Sequence, residues 1–309
     1  MPRRVAVVGP TASGKSAVAL AAAEAVGDAE LISVDSMQVY RGMDVGTAKP
    51  TADERVRVPH HLLDLVSPAE EFTVAEFQRA YRDVLGDLAA RGRRAILVGG
   101  TGLYHRAVID DLDLPGEWPD VRARLLAELH ESGPEVLHRR LADVDPVAAA
   151  RMEPTNERRI VRALEVCEGS GRPFSSFGPG LDAYPPSGVT QIGLRWDRAV
   201  LTDRIAVRVR AMVDAGLVDE VAGIRASSGF SKTAAQALGY KEILDHLDGT
   251  CSLDEAVERV TVRTRQFAIR QLRWFGRDPR VRWIDVVDDP VAEAVPAVIA
   301  ALERPTPAG

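Results

Sequence analysis

The stretch that constrains this chain most is Gly9-Pro10-Thr11-Ala12-Ser13-Gly14-Lys15-Ser16. A short apolar run, Val5-Ala6-Val7-Val8, precedes it, and the alanine-rich segment 17–26 that follows reads as a helix. Strand, glycine-rich loop and helix with the spacing Gly-x-x-x-x-Gly-Lys-Ser form a P-loop pattern. Glycines let the backbone curl until successive N–H groups point at phosphate oxygens. The helix that follows adds the positive end of its dipole. Lys15 brings a mobile charge to the outer phosphates, and Ser16 offers a hydroxyl to Mg2+. The loop therefore implies a di- or triphosphate site made by residues 9–16. It leaves open which phosphate compound is held and whether that compound is hydrolysed.

The text around the loop sets the fold class. Apolar runs at 5–8, 31–34, 62–66 and 95–98 alternate with helical stretches at 17–26 and 74–91. Such alternation predicts an α/β fold with a parallel, P-loop NTPase-like sheet. Its ligand site belongs beyond the carboxyl ends of the strands, at 9–16, 35–38 and 99–104. Then the texture changes. Leu114-Pro115-Gly116-Glu117-Trp118-Pro119 is turn material, 120–169 has helical spacing throughout, and 177–188 is again rich in Pro and Gly. Two punctuators around a helical block predict an insertion at 114–188 within a core of 1–113 and 189–309. Strand character returns at 189–196 and 281–286, with helices expected at 202–214, 216–227, 240–247, 253–275 and 291–302. Residues 304–309 read as a frayed tail.

Composition narrows the function classes. With 46% hydrophobic and 27% charged residues, the 309-residue chain has ample material for a core. Two cysteines, Cys167 and Cys251, cannot make a disulfide framework. They point to a reducing cytosol and to small packed side chains. No apolar stretch is long enough for a bilayer, and Met1-Pro2-Arg3-Arg4 before a core strand leaves no room for a leader. A cytoplasmic protein is expected. The net charge of −6 by itself argues against nucleic acid, but segment 259–282 holds eight arginines and one acidic residue, Asp278. Phe267, Trp274 and Phe275 are interleaved with them. Phosphates and unstacked loop bases suit that mixture, as does an ordinary solvated helix face with aromatics in the core.

Asp35 follows a strand and lies beside the phosphate loop. It suits a water-mediated Mg2+ contact, a general base for an acceptor next to the phosphates, or a helix cap. Gly99-Gly100-Thr101-Gly102 leaves bare backbone and one hydroxyl at another strand end, or makes a tight strand-to-helix turn. Segment 35–50 is polar enough to read a base edge. His60 and His61 lack a third ligand at useful spacing and read as polar packing residues.

These blocks together resemble the tRNA dimethylallyltransferase family. The resemblance runs through 9–16, through Asp-Ser-Met-Gln-Val-Tyr-Arg-Gly-Met-Asp-Val-Gly-Thr-Ala-Lys-Pro at 35–50, and through His60-His61-Leu62-Leu63-Asp64. It continues in 99–104, 156–166, 237–242 and 264–272, in order over most of the chain. It implies that Asp35 is the general base, that Thr101 orients the reacting groups, and that Arg208 helps bind the donor's diphosphate. It implies tRNA contacts by Asp35, Ser36, Met37 and Gln38, by Arg122, Arg158, Arg159, Ile160, Val161 and Arg162, and by Gln236, Gly239, Tyr240 and Lys241. It implies Mg2+ as cofactor at Ser16, dimethylallyl diphosphate and a tRNA anticodon stem-loop as partners, and no protein or membrane partner. One departure is Ile269, where the family often carries a basic residue.

The expected reaction moves a dimethylallyl group onto adenine at tRNA position 37. The exocyclic amine of adenine is a weak nucleophile, so a nearby base would take its proton as the new bond forms. Lys15, Mg2+ and Arg208 would stabilise the departing diphosphate, and no ATP need be hydrolysed. An adenylate prenyltransferase, a nucleotide or small-molecule kinase, and a P-loop RNA-binding protein remain as rivals. The helical insertion and segment 259–282 speak against free adenylate as acceptor.

Overall fold

The computed structural model describes residues 3–178 and 180–303; the expected tail at 304–309 lies outside them. The chain divides into two compact units, 1–110 with 186–309, and 111–185. Both borders fall three residues before those read from the punctuators.

The first unit opens with β1 (Arg4–Val8), the P-loop and α1 (Lys15–Val26), then β2 (Ala29–Ser33), the short α2 (Ala52–Arg57) and β3 (His60–His61). α3 (Val74–Ala90), β4 (Arg94–Val98) and α4 (Gly102–Ile109) follow. Capping boxes start α2 at Thr51 and Glu54, and α3 at Thr73 and Glu76.

The second unit holds α5 (Pro119–Ser132), α6 (Pro134–Val144), the one-turn α7 (Pro146–Ala149) and α8 (Glu157–Ser170). They close on Leu125, Leu137, Leu141, Ile160 and Leu164, all fully buried. Glu165 is also buried; it accepts from Trp118 N at 2.9 Å and pairs with Arg162 at 2.8 Å.

The chain then returns to the first unit with β5 (Val189–Trp196), α9 (Arg198–Asp214), α10 (Leu217–Ala226), α11 (Tyr240–Leu247) and α12 (Leu253–Gly276). β6 (Val281–Val286) and α13 (Pro290–Glu303) complete it.

The six strands form one parallel sheet in the order β3-β2-β4-β1-β5-β6. Register sets Ala6 beside Leu97 on one side and Gln191 on the other. Side chains alternate between two cores: Ala6, Val8, Ile32 and Leu97 face one, Val5, Val7, Leu31 and Ile96 the other. A parallel sheet covered on both faces needs such near-continuous apolar strands. The switch point lies at β1, where β4 and β2 are on one side and β5 on the other. There the carboxyl ends of β1, β2 and β4 release the P-loop, Asp35 and Gly99 together.

One expected strand is absent. Residues 62–66 form no ladder apart from an isolated bridge between Tyr40 and Val66. Leu62 and Asp64 take left-handed backbone angles, φ 62° and 58°, which end pairing after His61. The turn delivers Asp64 to Lys49 at 2.6 Å and Arg55 at 2.7 Å. An apolar run alone does not reveal that ion-pair demand. His61 Nε2 donates to the buried Glu30 carboxylate at 2.7 Å, and His60 Nδ1 lies 2.7 Å from Val58 O, so both pack as polar residues.

Candidate active site

The phosphate loop is shaped by backbone and braced from behind. Gly9 and Gly14 have φ of 140° and 90°, and Ala12 also takes a positive φ, 62°. The curl matches what a row of inward N–H groups requires. A side chain on Gly14 would also meet Pro290 at 2.6 Å. Trp196 at the end of β5 donates Nε1–H to Ser13 O at 3.0 Å. Arg204 on α9 donates to Ala12 O at 2.9 Å while stacking 4.2 Å over the Trp196 ring.

Four residues later on the same helix, Arg208 reaches the cavity that the loop borders. This cavity, about 390 Å3, is lined by Thr11, Lys15, Ser16, Asp35, Ser36, Met37, Gln38, Thr101 and Arg208. Gln236 and Gly239, and Arg263, Phe267 and Arg270 of α12, complete its wall. Lys15 Nζ is folded back onto Pro10 O at 2.6 Å. Burial first, and the charge of Arg208 second, lower its pKa from 10.5 to about 7, against the opposing pull of Asp35. Burial likewise disfavours the charge of Arg208, with Asp35 working the other way. Two crowded cations facing one carboxylate make a cavity ready for an anion.

Asp35 and Thr101 meet across Ser36. Asp35 Oδ1 accepts from Met37 N at 2.9 Å, an Asx turn and not a helix cap. Thr101 Oγ1 accepts from Ser36 N at 3.2 Å and lies 3.4 Å from Ser36 Oγ. Thr101 is the residue before α4 and makes no side-chain cap there, so its hydroxyl serves the cavity. Gln38 is held by both ends: Oε1 accepts from Ser33 Oγ at 2.7 Å and Nε2 donates to Thr47 O at 3.0 Å. Nε2 also donates to Ala48 O at 3.3 Å, so both amide hydrogens go to the loop and one Oε1 lone pair remains, an acceptor that suits an exocyclic amine.

Three contributors escaped the sequence reading. Gln271 is 5% exposed; it accepts from Thr11 N at 2.8 Å and donates to Gly100 O at 2.9 Å, tying the P-loop to the Thr101 loop. Its signal is legible in hindsight: Thr264, Ala268, Gln271 and Phe275 are one buried helical face, and a carboxamide there is out of place unless it is partnered. Trp196 and Arg204 had no comparable signal, because their partners are P-loop carbonyls.

Some expected contact residues have other duties. Ile160 and Val161, 0% and 2% exposed, are core residues of the helical unit. Arg162 donates to Pro115 O at 2.9 Å and Gly116 O at 3.0 Å besides pairing with Glu165. Arg158 and Arg159 are exposed on the same helix. Arg122 is 42% exposed, with its guanidinium 3.9 Å from Glu165. The Tyr240 ring is fully buried, and Lys241 is half-buried outside the cavity. Nor is 259–282 one basic face: Arg280 bridges Asp110 and Asp278, and Arg263 pairs with Glu242.

Among the described residues no group of three or more His, Cys, Asp or Glu forms a metal cage. The Ser16 hydroxyl on the cavity wall fits Mg2+ nonetheless, because that ion keeps several waters and takes substrate phosphate oxygens with one or two protein ligands.

Comparison with known proteins agrees with this arrangement. The IPP transferase family model matches residues 38–278, and the isopentenyl transferase model matches 3–64. The chain is 53% identical over 299 residues to the tRNA dimethylallyltransferase of Thermobifida fusca, covering 92% of each.

The chain belongs to the tRNA dimethylallyltransferase family.

Within that family, the tRNA dimethylallyltransferase of Streptomyces coelicolor is 48% identical over 99% of this chain and 98% of its own length. The tRNA isopentenylpyrophosphate transferase of Bacillus halodurans superposes with a TM-score of 0.71 at 41% identity, covering 98% and 97% of the two chains. A eukaryotic dimethylallyltransferase acting on tRNA gives a TM-score of 0.78 at 26% identity, covering 96% of this chain and 78% of its own. For this member of the dimethylallyltransferase family, no helix among the described residues is long and apolar enough to cross a membrane.

Proposed function

We propose that the chain transfers a dimethylallyl group from dimethylallyl diphosphate to the exocyclic amine of adenine at tRNA position 37, beside the anticodon, in the cytoplasm. The observation that carries this reading is one cavity holding a P-loop, two cations, and a carboxylate with a hydroxyl beside it. The carboxylate and hydroxyl suit an acceptor that must lose a proton. A kinase cavity can carry the same features, because its acceptor also loses a proton; the IPP transferase family match favours prenyl transfer.

In the transfer, the adenine N6 lone pair forms a bond to the allylic carbon. The bond from that carbon to the diphosphate oxygen breaks, and its electron pair leaves with the diphosphate. The N6 proton passes to the free oxygen of Asp35, with the amine oriented by Thr101. P-loop N–H groups, Lys15 and Arg208 stabilise the charge that builds on the leaving diphosphate. Ser16 would hold Mg2+, which would neutralise part of the same charge. Ser36 and Gln38 read the base. Exposed Arg158 and Arg159 supply phosphate contacts to the RNA.

Purified protein, Mg2+, labelled dimethylallyl diphosphate and an undermodified tRNA with adenine at position 37 should yield N6-dimethylallyladenosine by nucleoside mass analysis. Absence of that product, or preferential labelling of free adenylate in competition, overturns the reading.

A further inference from the structure

The loop that offers Gln38 to the cavity is held by a carboxylate far away in sequence. Glu220 of α10 takes three successive backbone donors: Asp44 N at 2.8 Å, Val45 N at 2.7 Å and Gly46 N at 3.2 Å. Its Oε1 also accepts the Tyr240 hydroxyl at 2.5 Å. Successive N–H groups around an anion form a backbone nest, and here the anion is a protein side chain. Tyr240 completes the fit from below. A Cβ on Gly46 would lie 2.5 Å from its ring, so the loop rests on the aromatic face with no room for a side chain.

What is fixed in this way is the strand of backbone that orients Gln38. Residues 46–48 line the cavity, and the carbonyls of Thr47 and Ala48 take the Gln38 amide at 3.0 and 3.3 Å. Ala48 holds a left-handed φ of 47°, a conformation a loop keeps only when its neighbours over-determine it. On the other side, Tyr240 begins α11 directly after Gly239, another cavity residue. One carboxylate thus ties together the segments that carry two walls of the cavity, residues 46–48 and Gly239.

We propose that Glu220, acting with Tyr240, is a positioning residue that sets the orientation of the Gln38 carboxamide and hence the capture of the acceptor base. The reading of the cavity as an adenine-prenylating site underlies this assignment. Glu220 touches no reacting atom. Its carboxylate has acceptors for all four donors, whereas a carboxamide turns N–H toward N–H on one arm.

Glu220→Gln should raise KM for an anticodon stem-loop RNA about tenfold, leave KM for dimethylallyl diphosphate within about twofold, and lower kcat by less than about threefold. Hydrogen exchange in the free protein should accelerate over 43–49 and stay unchanged over the P-loop. Tyr240→Phe, which keeps the ring under Gly46, should give the same pattern with a smaller rise in KM. The exchange measurement needs no substrate, so it separates a failed latch from a failed reading of the reaction. If wild-type protein makes no prenylated adenosine while exchange responds as stated, the reaction assignment falls and the latch stands. Unchanged exchange over 43–49, equal rises in both KM values, or a loss confined to kcat would overturn the proposal. Should Glu220→Gln not fold, the same criteria apply to Tyr240→Phe.

Discussion

Lys15 is the group whose ionisation should change most when the cavity fills. In the free protein its pKa is lowered to about 7, by burial first and by Arg208 second, with Asp35 opposing. A diphosphate at the P-loop reverses that balance by bringing several negative charges to Nζ, and the pKa should return toward the ordinary lysine value. At pH 8 a group with a pKa of about 7 carries about a tenth of a proton, whereas a restored lysine carries a full one. Binding should therefore take up about 0.9 proton at pH 8. The sign follows directly: the protonated form binds, so affinity is fully present below pH 7 and falls about tenfold per unit as pH rises beyond it. Titration calorimetry of dimethylallyl diphosphate at pH 8, in two buffers of different ionisation enthalpy, reads the proton count from the slope. Lys15→Arg keeps a permanent charge, so it should bind with uptake near zero. No uptake in the wild type, or undiminished uptake in the arginine variant, would refute the reasoning.

Other outcomes follow from single contacts. Asp35→Asn should lower the single-turnover rate by about a hundredfold or more while RNA affinity changes little; a normal rate with lost binding would reassign the residue. Glu30 is buried with its carboxylate on Arg91 at 2.5 and 2.9 Å and on His61 at 2.7 Å, and hydrogen bonding from Arg91 foremost lowers its pKa to about 2. Its contribution to stability should be complete above about pH 4.5 and be lost as pH falls toward 2, and Glu30→Gln should flatten that part of the stability–pH curve in urea melts. Gly99→Ala would put a Cβ 2.1 Å from Val34 O, between β2 and β4. Urea unfolding should show a loss of about 2 kcal/mol or more, and an unchanged midpoint would contradict the packing described.

Most of the fold was legible because each signal was local. Alternating apolar runs and helical spacing identified five of the six strands, and Pro- and Gly-rich borders marked the helical unit to within three residues. The sixth strand was misplaced because 62–66 is apolar yet turns at Leu62 and Asp64 to satisfy Lys49 and Arg55. Burial of Ile160 and Val161 among arginines was likewise not given by the resemblance, which implied tRNA contacts for all of 158–162.

By itself, then, the sequence determined a phosphate loop, a parallel sheet and the list of polar residues at its strand ends. Each follows from residues adjacent in the chain, where backbone conformation and side-chain chemistry are set together. The tertiary structure decided how those residues are aimed. Gln271 joins Thr11 to Gly100 across 260 and 171 positions, and Glu220 holds Gly46 across 174. Such bonds depend on which helix packs over which strand end, and no spacing along the chain encodes that.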